Sequence, residues 1–203
     1  MKNTGDDSGP RAERGRRRRP RGRGSPAGRG PRALEEPGRL TVEVSNRQRK
    51  VPVDGRQVGR LTRLLLGELL GMSRAQLSIC LLDDAGMARL NETYLHHAGP
   101  TDVITFDYHE AGGAGDCDEL YGEICLGVEE AQRQARRYGT SWPEELTRYL
   151  VHGVLHLLGY DDQQPAVRRR MKQQEDRLLR ALRRRFPART LCRCRHPCHC
   201  SVA

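Results

Sequence analysis

The chain has 203 residues, 36 Lys or Arg against 26 Asp or Glu, a formal charge of +10 and 36% hydrophobic residues, which suits one domain of ordinary size with tails. No apolar run is long enough to cross a bilayer, and Met1-Lys2-Asn3-Thr4-Gly5-Asp6-Asp7 does not lead into the apolar stretch of a secretory signal. The charge is uneven: residues 1–33 hold 11 basic against 3 acidic side chains, 34–162 hold 13 against 21, and 163–203 hold 12 against 2.

Residues 1–38 are Arg, Gly and Pro with little to bury, and are expected to be a disordered tail. Such basic ends attract polyanions such as RNA, because each neutralised phosphate releases counterions. From Leu40 to Val44 apolar and polar residues alternate, a half-buried strand. Val58, Leu61, Leu64, Leu65 and Leu69 then fall at helical spacing over 57–71, and Gln76 to Leu82 reads as a second strand. Asp83 or Asp84 caps a short helix ending near Tyr94. The β-branched run Asp102 to Asp107 predicts a third strand. After a Gly/Asp-rich loop, 111–118, a fourth follows around Tyr121 to Leu126.

The period is helical from Val128 onward. One helix runs to Tyr138 and stops at Gly139, and Ser141 with Glu144 forms a capping box for the next, with Pro143 in its first turn. Its stripe is Leu146, Tyr149, Leu150, Gly153, Val154 and Leu157, closed by Gly159; a last helix spans about 165–185, stopped by Pro187. Strands first and long helices last predict an α+β domain over 39–186, with a small mixed four-stranded sheet packed by about five helices. Residues 187–203, rich in Cys and His, are expected to be a disordered end. The alternative there is a second metal site on Cys192, Cys194, His196, Cys198, His199 and Cys200. Seven cysteines is an odd count. With no export signal a reducing compartment is the default, which places the protein in the cytoplasm, with Cys80 and Cys125 as buried small hydrophobes.

The chemistry concentrates in residues 152–162, HGVLHLLGYDD. His152 and His156 are four apart, so on a helix they share one face, roughly 6 Å apart along the axis, and can grip one ion. Gly159 turns the chain and lets Asp162 swing back as a third ligand. Three protein ligands leave a fourth position for water, as in catalytic rather than structural zinc sites. Metalloproteases of the HExxH type carry their glutamate base directly after the first histidine; here that position is Gly153, which argues against their mechanism.

The region from about Leu40 to Leu182 resembles the YbeY family of bacterial zinc-dependent endoribonucleases of rRNA maturation. Residues 152–161 match the family motif H-G-x-L-H-L-x-G-Y-D at every fixed position. Asn91, Tyr94 and Pro100 to Phe106 match a second block, Gly122-Glu123-Ile124 a third, and Met171 to Glu175 a fourth. The resemblance implies a zincin-like metal helix, one Zn2+ per chain, cleavage of single-stranded RNA in 16S rRNA 3′-end maturation and ribosome quality control, and the ribosomal small subunit as partner. Two positions depart from the pattern. Asp162 stands where the family has a third histidine, which leaves a bound water less acidic than three imidazoles would. Leu95, followed by His96 and His97, stands where many members have an arginine associated with RNA cleavage, so either a histidine takes over phosphate contact or nuclease activity is weakened.

With no glutamate beside His152, His97 and Asp102 are the candidate proton-transfer groups, and Thr101, Arg133 and Arg137 the candidate substrate contacts. Asp161 would orient a ligand histidine or close the turn. Arg136, Arg168 to Arg170 and Arg183 to Arg185 add basic surface. Two rival readings stay open: a metallohydrolase of another substrate class, and a ribosome-assembly factor that keeps the ion for stability. A His/His/Asp set also accepts manganese, iron or nickel.

Overall fold

The computed structural model describes residues 40–109 and 119–193. The expected basic tail over 1–38, the loop at 111–118 and the Cys/His-rich end from residue 194 lie outside them. The order is β1 (Leu40–Asn46), α1 (Gly55–Arg63), β2 (Arg74–Leu82), α2 (Asp84–Leu90), β3 (Val103–Asp107), β4 (Glu119–Gly127), α3 (Val128–Tyr138), α4 (Trp142–Leu157) and α5 (Pro165–Arg185). The sheet runs β1-β2-β4-β3, with β1–β2 and β2–β4 parallel and β3 antiparallel to β4. This is the mixed four-stranded sheet with five helices that the pattern predicts.

Alternation divides the sheet into two faces. Leu77, Ile79 and Leu81 of β2 and Leu120, Ile124 and Leu126 of β4 join the large core with Leu146, Leu150, Val154 and Leu155 of α4. Each such side chain, fully buried, contributes about 1.5–3 kcal/mol of transfer free energy. On the other face Cys80, Leu82, Met87, Ile104 and Cys125 form a smaller cluster. Gly153 sets how closely α4 approaches: a Cβ there would lie 2.9 Å from Ile124 Cγ2 and 3.2 Å from Val103 Cγ2.

The helix starts follow their capping residues. Asp54 accepts from the Arg56 and Gln57 amides, Asp83 from Gly86, and Ser141 with Glu144 forms the expected capping box of α4. Both short helices end differently from the sequence expectation. α1 continues as a π-helical segment, Leu64–Leu69, and α2 as another, Asn91–Leu95, which closes on His96 in the left-handed region at φ 56°. The C-terminal expectation also shifts. The segment after Pro187 forms a 3-10 turn, Ala188–Leu191, and Leu191 is buried. The Asp54 amide donates to the Leu191 carbonyl, and Cys192 bridges to Val53. Leu191, beyond Pro187, is therefore part of the core.

Candidate metal centre

The last two turns of α4 position both imidazoles. Their Nε2 atoms face each other at 3.0 Å, with the rings edge to face at 84°. Each Nδ1 has an acceptor: Glu175 Oε2 of α5 lies 3.2 Å from His152 Nδ1, and the Tyr160 carbonyl 3.1 Å from His156 Nδ1. Both acceptors favour a proton on Nδ1, and in that tautomer both Nε2 atoms would turn lone pairs toward the same point. The Tyr160 carbonyl reaches His156 because Gly159 adopts φ 82° and the Tyr160 amide returns to the Leu155 carbonyl at 3.0 Å. Asp162 follows, with Oδ2 4.0 Å from His152 Nε2. Its backbone carbonyl accepts from Arg168 Nε at 2.7 Å, which ties the turn to α5.

One donor atom from each of His152, His156 and Asp162 lies within 4.8 Å of the others. In that tautomer two facing imidazole lone pairs and a carboxylate would repel one another without a cation among them. The donor set therefore fits a divalent metal, with nitrogen and oxygen ligands that suit zinc.

Glu175 is the residue the sequence reading matched to a motif but gave no role. It is buried, and burial opposes its ionisation. Hydrogen bonds from His152, Lys172 and Arg148 outweigh that and hold its carboxyl at about 2. A fixed carboxylate there keeps the His152 proton on Nδ1 and the lone pair on Nε2. The signal was the motif pair Met171 and Glu175: Met171 is core, and Glu175 lies one turn farther along the same face. Asp161, expected to orient a ligand histidine or close the turn, accepts the Gln163 amide at 3.0 Å.

The other expected residues stay outside the cluster. Asp102 Oδ1 accepts from the Thr101 hydroxyl at 3.1 Å and the Val103 amide at 2.9 Å, so this pair caps the start of β3. Together they line a separate hollow with Tyr149 and Glu145. His97 is exposed after the second π-helical segment. Arg133 is committed to Asp84 and Glu130, which joins α3 to α2 and leaves little charge for a phosphate; those hydrogen bonds also raise its pKa. Arg137 lies 5.6 Å from the Tyr138 ring centroid and is exposed. Among the described residues Arg169, Arg170 and Arg184 are exposed and make no ion pair.

The family described as "Endoribonuclease YbeY" matches residues 43–183. The chain belongs to the YbeY family. It is 36% identical over 149 residues to the endoribonuclease YbeY of Thermobifida fusca, covering 71% of this chain and 96% of that relative. The relative of the same name from Pelotomaculum thermopropionicum is 38% identical over 146 residues, covering 69% and 95%. In fold the chain is similar to the solution structure of TM1509 from Thermotoga maritima, with a TM-score of 0.50, 21% identity and coverage of 73% of this chain and 95% of that one. YbeY membership ties the helix-borne histidines to a family whose relatives are named as endoribonucleases. Among the described residues no helix is long and apolar enough to cross a membrane.

Proposed function

We propose that this chain is a zinc-dependent, single-strand-specific endoribonuclease that acts in the cytoplasm on the 3′ end of 16S rRNA and in ribosome quality control, with the small subunit as its partner. The observation that carries the reading is the facing pair of Nε2 atoms, with both Nδ1 protons held by acceptors and Asp162 beside them. Zinc held by His152, His156 and Asp162 would supply Lewis acidity toward a phosphoryl oxygen and toward water. The protein's own part is to keep both rings in one tautomer and to leave the site open on the half-buried Asp162 side.

Peptide hydrolysis by the HExxH route is disfavoured by packing as well as by sequence. A glutamate at position 153 would be driven into Ile124 and Val103. In this reading His97 remains the proton-exchanging group, since Asp102 is engaged at the start of β3. RNA is held through its backbone by Arg137, Arg169, Arg170 and Arg184, together with the basic ends of the chain, 1–38 and 187–203.

The test is metal content in the full chain and in Asp162→Ala, followed by cleavage of single-stranded RNA and of peptides by the same samples. Expected is loss of metal and of RNA cleavage together, with peptides untouched by either sample. RNA cleavage that survives metal loss would overturn the reading. A second reading, a ribosome-assembly factor that keeps the ion for stability, is favoured by Leu95, 48% exposed where many family members have arginine. Metal loss that lowers the melting temperature, in a protein that binds but never cleaves RNA, would select it.

A further inference from the structure

Cys80 and Cys125 are facing partners in the parallel register of β2 and β4, and both are free thiols. They lie on the sheet face away from α4, packed with Leu82, Met87 and Ile104. Glu123, two residues before Cys125 on the same face, turns toward them. The Cys125 thiol donates to Glu123 Oε1 at 3.7 Å, while Glu123 Oε2 accepts from the Tyr108 hydroxyl at 2.9 Å. One donor atom from each of Cys80, Glu123 and Cys125 lies within 4.8 Å of the others. All three border a cavity of about 520 Å³, whose wall also carries Arg47 and Tyr94.

Buried cysteines serve ordinarily as small hydrophobes, and that reading accounts for the packing against Met87 and Ile104. It does not account for a carboxylate brought onto the sulfurs and held by a tyrosine, beside an open cavity. We propose that Cys80, Cys125 and Glu123 form a second metal site, for a thiophilic ion of the Zn2+ class, independent of the histidine centre. Two thiolates and a carboxylate are a donor set that zinc accepts, and three protein donors leave a position facing the cavity. On binding, each thiol gives its proton to solvent as its sulfur–metal bond forms. Two thiolates and one carboxylate carry more negative charge than a dication cancels, and Arg47 on the cavity wall balances the excess. Tyr108 fixes the carboxylate from outside, as outer partners do at metal centres.

The test uses the full chain with Cys117, Cys192, Cys194, Cys198 and Cys200 replaced by serine, titrated with Co2+ alone. The readout is the near-ultraviolet thiolate-to-cobalt charge-transfer band, which the histidine centre cannot give. Expected is a band that appears in this chain, saturates at one equivalent in the added His152→Ala/His156→Ala background, and is lost on adding Cys80→Ser/Cys125→Ser. In the unsubstituted chain Zn2+ slows alkylation of Cys80 and Cys125 at least tenfold, mapped by mass spectrometry, so the outcome does not depend on a variant that folds. Absence of the band, or equal alkylation of the two residues with and without Zn2+, overturns the proposal.

Discussion

His152, His156 and Asp162 come from one short stretch of chain, whereas Cys80 and Cys125 belong to different strands and meet only because β2 and β4 pair in one register. The first cluster is set by helix period and a glycine turn, the second by a parallel ladder. α4, which carries the histidines, packs on one face of β4 with Gly153 against Ile124, and the next residue, Cys125, points the other way. The difference teaches that local geometry fixes a site's own shape, while the sheet decides what stands behind it. The histidine centre also has two outer partners, Glu175 and the Tyr160 carbonyl, against one, Tyr108, for the sulfur cluster.

The largest expected effect breaks one cluster and spares the other. His156→Ala removes a ligand outright, so zinc affinity at the histidine centre should fall by more than the roughly 100-fold that loss of an outer partner costs at most. Metal analysis and RNA cleavage should fall together, while alkylation protection of Cys80 by Zn2+ stays unchanged. Protection lost in this variant would mean that the clusters are coupled through β4.

Next in size is Gly153→Glu, which attacks the contact between α4 and the sheet. The added side chain would meet Ile124 and Val103 and bury a carboxylate without a partner. Overpacking and the buried charge together should cost about 3 kcal/mol or more, read as a lowered urea midpoint. A midpoint equal to that of the unsubstituted chain would show that α4 can lift off the sheet.

The same contrast explains what could be read from the chain itself. The first strand and the three long helices were legible because apolar periods of two and 3.6 are local, the other strands because short apolar or β-branched runs are, and the His152–His156 pair because it rides on such a period. The role of Glu175 was not: it depends on α5 crossing α4, a packing that no local period encodes. The Cys80–Cys125 pairing was hidden for the same reason, since only the strand order β1-β2-β4-β3 makes those two neighbours. Arg133 looked like a phosphate contact because its partner Asp84 lies on another helix. The π-helical endings of α1 and α2 leave no mark in apolar spacing. Leu191 was masked by a basic, cysteine-rich composition in which one core leucine carries little weight.

The smallest expected effects sharpen the comparison of outer partners. Glu175→Gln keeps the shape but removes the charge that holds the His152 proton on Nδ1, so zinc affinity at the histidine centre should drop about 10–100-fold. Glu175 is also where Arg148 and Lys172 converge. Some stability should therefore be lost as well, and Arg148→Ala, which leaves the His152 hydrogen bond in place, separates that loss from the effect on metal. Tyr108→Phe removes the corresponding hydrogen bond to Glu123, but Tyr108 is 45% exposed and water can replace its hydroxyl. A net hydrogen bond of about 1 kcal/mol corresponds to a loss of Co2+ affinity at the sulfur cluster of less than about tenfold. Metal titrations of the two variants should therefore rank Glu175→Gln above Tyr108→Phe. The reverse order would mean that solvent, rather than a buried carboxylate, fixes the tautomer of His152.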